Sequence, residues 1–308
     1  MTVRIVTDTT ADLSPELARE LDITIVPAYV SLRGRSYRDG VDITLDEIYR
    51  KMADENTPIT TSQPPPNDFA DAYKRLMKEA DQIVSIHLTS RLSGVHNSAL
   101  QGRELVGGKG RIEVIDTASI SMGTGLVAIA AARLAQSGAS LPCILDETRQ
   151  AIAHVHIWGV LDTLKYVLRG GRLGRAKALL GGFISVKPII TMKNGEIYPS
   201  GFARTRARGI DRLIENFKAF KVDEVGIVYS TTHDEAQTLK SRLSAVLDGR
   251  RIHLCRLGPA LGAHAGPGTL VLALREQSPK AGSAIISKDK KLVNLPSFHA
   301  PRLNINPV

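Results

Sequence analysis

Four short stretches carry residues that could do chemistry. Thr60, Thr61, Ser62 and Gln63 stand directly before Pro64-Pro65-Pro66. Prolines fix φ and push the preceding residue into extended geometry, so this row of hydroxyls sits on stiff backbone. It contains no acid and no histidine, which raises the question of what it would hold. The segment HLTSRLSGVHNSA (87–99) runs from a strand end into a helix start and places Ser93-Gly94 where free N–H groups and a partial positive charge gather. Its plainer reading is that Ser90 or Ser93 caps the helix. GPALGAHAGPGTL (258–270) surrounds His264 with small residues and reads as a loop of fixed shape that aims one imidazole, or as the home of a purely structural histidine. LRGGRLGRAKALLGG (168–182) has the look of a phosphate loop but lacks the Gly-Lys-Ser/Thr that holds magnesium. Arg172, between flexible glycines, could receive a carboxylate or phosphate, with a solvated basic turn as the alternative.

Other enzyme readings are weaker. GTGLVA (123–128) echoes a dinucleotide fingerprint, yet TASISM separates it from the strand, whereas the fingerprint wants its glycines in the tight turn. The pair in HVH (154–156) has no nearby cysteine or carboxylate to complete a metal site. Ser93 and His264 with an aspartate could form a hydrolytic triad acting on acyl esters, although no GxSxG elbow surrounds any serine. In TDTTAD (7–12), Asp8 and Asp12 read as strand-end and helix-entry residues whose default duty is capping.

The elements that must position these groups alternate. VRIVT (3–7) reads as a strand, Ser14-Pro15 opens a helix, and ITIVPAYVSL (23–32) reads as a second strand. Helical spacing follows at 44–55 and from Asn67 to Ala80, then strands at 82–88 and 111–116 with helices between and after them. Strands separated by helices predict parallel crossovers, hence an N-terminal three-layer α/β/α domain over 1–156. Beyond it the pattern changes. A hairpin turning at Asn194-Gly195 and further strands predict a C-terminal two-layer α/β domain with a mixed or antiparallel sheet over 157–276. Residues 277–308, rich in Lys, Pro, Ser and Asn, read as a loosely ordered basic tail.

Composition narrows the class. The chain has 308 residues, of which 43% are hydrophobic and 23% charged, ordinary for a globular protein with a sizeable core. The opening MTVRIVTDTTADL does not read as a secretory signal, no apolar run suggests a membrane span, and two cysteines make no disulfide framework. The expected location is therefore cytoplasmic. Of the net charge of +9, four units lie in residues 277–308, and aromatic residues, 5% of the chain, nowhere interleave with basic ones. That gives no support for a nucleic-acid partner. A transient contact with an acidic membrane surface, or an acidic protein partner, stays open as the meaning of the charge.

Taken together, TDTTADL, YRDGVDIT, TTSQPPPNDF, LTSRLSGVHNSA, GGRLGRAKALLG, VKPII and GAHAGPG occur in an order and at spacings that resemble the DegV family, from roughly residue 3 to 275. Members of that family are similar to the substrate-binding half of dihydroxyacetone kinase and bind a long-chain fatty acid between two α/β domains. In several bacteria they serve as the non-catalytic subunit of a fatty-acid kinase, presenting the carboxylate to a separate ATP-binding subunit for acyl-phosphate formation. The resemblance implies carboxylate-binding roles for Thr61, Ser62, Ser93 and Gly94, with His264 and Arg172 near the headgroup. It implies a partner-docking role for Arg204 in FARTRARG, no cofactor, no metal and no catalysis by the chain alone. It also suggests an apolar tunnel, for which LVAIAAA (126–132) and LLGGFISV (179–186) are candidate walls beside their default role as core. This chain departs from the family after Ser-Gly, where Val95-His96 stands in place of the common Thr-Tyr.

Overall fold

The computed structural model describes residues 1–53, 59–107, 111–172 and 186–277. Strand β1 (Val3–Asp8) leads through a 3-10 turn at Thr9–Ala11 into α1 (Pro15–Glu20), where Ser14 Oγ accepts from Leu17 N at 3.2 Å. The run 23–32 is not one strand. Pro27 has no N–H to continue a ladder, so β2 (Ile23–Val26) stops before it and β3 (Tyr29–Leu32) begins in a different sheet. Then come β4 (Arg35–Arg38), α2 (Leu45–Ala53) and β5 (Ile59–Ser62). Helix α3 (Pro66–Leu76) starts at the last of the three prolines and not at a capping Asn67, because proline loses nothing at a position whose N–H has no helical partner. The first half continues with β6 (Gln82–His87), α4 (Val95–Leu105), β7 (Arg111–Asp116), α5 (Met122–Gln136) and α6 (Leu141–His154).

The second half holds β8 (Val155–Val160), α7 (Lys165–Arg169), the hairpin β9 (Lys187–Lys193) and β10 (Glu196–Ala203), and α8 (Arg206–Lys218). It closes with β11 (Val222–Tyr229), α9 (His233–Ser244), β12 (Ile252–Arg256), α10 (Pro259–Ala265) and β13 (Leu270–Glu276). The segment around His264, expected as a loop, is the helix α10. Gly258 and Pro259 start it and Gly266, at φ +80°, ends it.

Three sheets result. The first, in the order β2-β1-β6-β7, is parallel throughout. Alternate residues face opposite ways: Val6 and Ile83 pack on Phe69 and Tyr73 of α3, while Ile5 and Val84 pack on α5, giving the expected α/β/α layers. A small antiparallel sheet, β4-β3-β5, pairs Val30 with Thr61. The third has the order β10-β9-β8-β13-β11-β12 and is mixed, with only β11 and β12 parallel. Helices α8 and α9 cover one of its faces through Ile210, Leu213 and Leu239.

The other face of that mixed sheet meets α5. Ile157, Val228, Val271 and Ala273 share one core with Ile5, Val84, Met122 and residues 126–132, and every residue of 122–132 is buried. A helix that is apolar all round is one buried all round. LVAIAAA is therefore the central core between two sheets and not the wall of a tunnel. We retain a domain boundary near residue 156 as a proposal, drawn where the parallel layer passes into the mixed one. Residues 179–185 and the tail from 278 lie outside the described residues. Among the described residues, no helix is long and apolar enough to cross a membrane.

Candidate functional site

Between the small sheet, the start of α4 and the uncovered end of the mixed sheet lies a cavity with about 1150 Å³ of empty space, counted to its open mouth. The floor comes from the mixed sheet. Ile157, Ile190, Met192, Ile197 and Val271 line it, and the register sets Gly159 of β8 between Ile190 and Val271, which leaves that row low. Sequence reading missed these wall residues because their alternation marks a buried strand face without saying whether side chains or a ligand fill the other side.

Polar groups gather at one end. Thr61 is carried by β5, held in register by Val30 of β3, and its Oγ1 lies 2.7 Å from His264 Nε2 on α10. Ser62 and Gln63 follow at the rim, and the Gln63 amide packs against Gly94. The proline run is tied to the next element, since Ser98 Oγ of α4 donates to Pro64 O. Ser93 and Gly94 precede α4, whose first turn has no acidic side chain; Ser93 Oγ accepts a long bond from Val95 N, at 3.4 Å. The positive end of α4, with no acidic side chain in its first turn, thus lies at this end of the cavity, which Ser93, Gly94 and Val95 line.

Arg172 stands exposed at the mouth, where its Nη1 donates to Gly170 O at 2.6 Å. Gly170 itself lies so close to His264 that a methyl group there would overlap the imidazole. Burial and the Arg172 charge push the His264 pKa down to about 4, so the ring is neutral near pH 7. The cavity thus brings together Thr61, Ser62, Ser93, Gly94, His264 and Arg172. Arg204 is not with them; it is exposed between β10 and α8.

Among the described residues no hydrolytic arrangement is formed here. His264 pairs with Thr61 and not with Ser93, and among the described residues no carboxylate hydrogen bonds to it. One Ser-His-Asp chain does exist elsewhere. Ser85 Oγ lies 2.7 Å from His87 Nε2, and His87 Nδ1 lies 2.8 Å from Asp8 Oδ2. All three residues are fully buried, and Tyr73 OH donates to Ser85 Oγ at 2.8 Å, so no substrate reaches that serine.

Further polar residues of the site escaped sequence reading. Thr10 and Ser121 line the cavity, Thr10 donating its hydroxyl to Asp8. Asp8 does cap, accepting from Thr10 N at 3.0 Å, but Asp12 does not open a helix: it ends the 3-10 turn at φ 53° and reaches Ser121 and Gly258. The hairpin expected at Asn194-Gly195 docks its tip on the first half. Thr89 Oγ1 donates to Gly195 O at 3.0 Å, a closeness that leaves no room for a side chain at Gly195.

The chain resembles proteins already described. A family model for "Uncharacterised protein, DegV family" matches residues 2–277. A DegV domain-containing protein of Caldanaerobacter subterraneus subsp. tengcongensis is 34% identical over 86% of this chain and 95% of its own. A solved structure described as fatty acid binding of a DegV family protein from Thermus thermophilus superposes with a TM-score of 0.84 at 33% identity, covering 90% of this chain and all of the other. Another, a stearic acid-binding protein from Eubacterium ventriosum, gives 0.78 at 29% identity over 89% of this chain and 98% of the other. Matched over nearly all its described length, the chain belongs to the DegV family.

Proposed function

We propose that the chain binds a long-chain fatty acid in this cavity, its acyl chain over the mixed sheet and its carboxylate among Thr61, Ser62, Ser93 and Gly94, with His264 and Arg172 beside it. The observation that carries the reading is the polarity of the cavity: neutral hydrogen-bonding groups converge at one end of an otherwise apolar space. The Thermus relative, described as binding fatty acid, and the Eubacterium relative, described as binding stearic acid, point to the same class. Each buried CH₂ contributes about 0.8 kcal/mol, so the acyl chain supplies affinity and the headgroup groups supply orientation. Hydroxyls and N–H groups stabilise a carboxylate by about 1.5–3 kcal/mol per bond while leaving its oxygens more nucleophilic than a bidentate arginine clamp would.

The orientation suits presentation to a separate ATP-dependent kinase subunit. There a carboxylate oxygen attacks the γ-phosphorus of ATP, the bond to the β–γ bridging oxygen breaks, and ADP leaves with acyl phosphate formed. Arg204, exposed and outside the cavity, is our candidate for docking that subunit. Ser93→Ala and Thr61→Ala are expected to weaken binding of a fluorescent fatty acid about tenfold each with little change in stability. Parent-like binding by both variants would remove the headgroup assignment. Arg204→Glu should bind as the parent does and impair acyl-phosphate formation with the kinase; unchanged turnover would end the docking role.

A further inference from the structure

Helix α10 carries His264 at one end and is held at the other by two buried carboxylates. Asp12 Oδ1 accepts from Gly258 N at 2.7 Å, and Asp39 Oδ2 accepts from Ala260 N at 3.2 Å. The two carboxylates flank Gly258 so closely that a methyl there would lie 3.3 Å from one and 3.4 Å from the other. Both residues are almost wholly buried, at 4% and 1% exposure, and neither has a salt bridge among the described residues. Asp12 Oδ2 also accepts from Ser121 Oγ at 2.5 Å, and both Asp12 and Ser121 have a left-handed φ, of 53° and 52°. Non-glycine residues hold that conformation only where their surroundings compensate for its cost. Here the left-handed backbone turns the Asp12 side chain from the 3-10 turn toward α10. At the far end Tyr49 OH donates to Gly266 O at 3.1 Å, so the short helix is pinned at both termini.

We propose that Asp12, supported by Asp39, is a positioning residue of the ligand site: by holding the Gly258 end of α10 it sets His264 at hydrogen-bonding distance from Thr61. The inference rests on the fatty-acid reading above for its binding readout, but its geometry does not. TDTTADL and YRDG, which lie far from His264 in sequence and outside the cavity lining at Asp12 and Asp39, thereby act on the same headgroup.

The groups facing Asp12 give the arrangement a pH dependence. Asp8 at the end of β1, Asp39 before α2, Tyr49 on α2 and Cys255 on β12 all interact with it electrostatically, and all are acids. Burial pushes Asp12 up to about 8 and Asp39 up to about 6. Below its pKa Asp12 is neutral. As pH rises through about 8 it ionises where burial opposes the charge more strongly than the Gly258 and Ser121 hydrogen bonds favour it, so the fold around the Gly258 end of α10 is destabilised.

The test uses the full chain with three aspartate states. In ligand-free protein, Asp12→Ala should move the His264 ring titration, followed by NMR, from about 4 toward an ordinary histidine value. It should also weaken binding of fluorescent parinaric acid about tenfold. Asp12→Asn keeps an acceptor for Gly258 N and a donor for Ser121, so it should restore both. The parent's affinity should fall as pH rises through about 8, more steeply than that of Asp12→Asn, the ligand's own titration being common to both. An Asp12→Ala protein with an unmoved His264 signal and parent-like affinity overturns the proposal. So does an Asp12→Asn variant as impaired as the alanine one. If the alanine variant does not fold, the two pH profiles decide, and identical profiles overturn it. A parent that binds no fatty acid while His264 still responds to Asp12 would instead overturn the ligand reading and leave the positioning role standing.

Discussion

His87, buried at the end of β6, and His264, at the cavity, use their surroundings in opposite ways. His87, at the end of β6, has the partners a catalytic histidine is expected to have, Ser85 on one nitrogen and Asp8 on the other. It is sealed, with the Phe69 ring edge-on at 5.1 Å, and it reaches the cavity only through Asp8 and the Thr10 hydroxyl. His264 meets the cavity directly, yet among the described residues it has no acid behind it, and the Arg172 charge helps to keep it neutral. Triad geometry is thus found where no ligand can come, and ligand access where no proton relay is built. A neutral imidazole that orients a threonine hydroxyl suits holding an anion, and a buried Ser-His-Asp chain suits fixing the ends of β1 and β6.

The largest effect that could break this comparison is on stability. His87→Ala leaves Ser85 and Asp8 without their buried partner and should cost about 2–4 kcal/mol in chemical denaturation, with fatty-acid affinity per folded molecule unchanged. A variant of parent stability that no longer binds would reverse the roles of the two histidines. Next in size is Gly170→Ala, whose added methyl overlaps the His264 ring. Its backbone φ of −74° suits alanine, so the fold should tolerate the change while binding weakens about tenfold. Parent-like binding would show that the position of His264 does not matter.

The smallest effect is a pH slope. His264 has a folded pKa lowered from 6.5 to about 4, so the unfolded chain binds the proton more readily in that window. Its share of stability is complete above about 6.5 and is lost as pH falls toward 4. His264→Gln should show a shallower decline over that range by thermal denaturation, and superimposable profiles would contradict the burial of a neutral ring.

Much of this frame was legible in the residues. The apolar runs 3–7, 82–88 and 111–116 marked three parallel strands, and Asn194-Gly195 marked the hairpin, because period and turn chemistry are local. What escaped depends on distance in the chain. Pro27 divides one β-like run between two sheets, a matter of which partner each half finds. Helix α10 has too few large side chains to show a helical period, and its Gly258 end is secured by Asp12 and Asp39, more than two hundred residues away. The apolar run 126–132 has core as its default reading and a tunnel wall as the alternative, and the second sheet on its far side decides for core. Thr61, Ser62, Ser93, Gly94, His264 and Arg172, which the cavity brings together, were put forward through the resemblance of their motifs to a family, whereas spacing alone left Ser93 and His264 open to a hydrolytic reading and did not point to Thr10 or Ser121.

The most direct measurement of the central claim is native mass spectrometry of the purified full chain, followed by solvent extraction and identification of the bound lipid. The account predicts one long-chain fatty acid per chain, released on denaturation and replaceable by added stearate. A protein that is empty as purified and takes up no added fatty acid would contradict it.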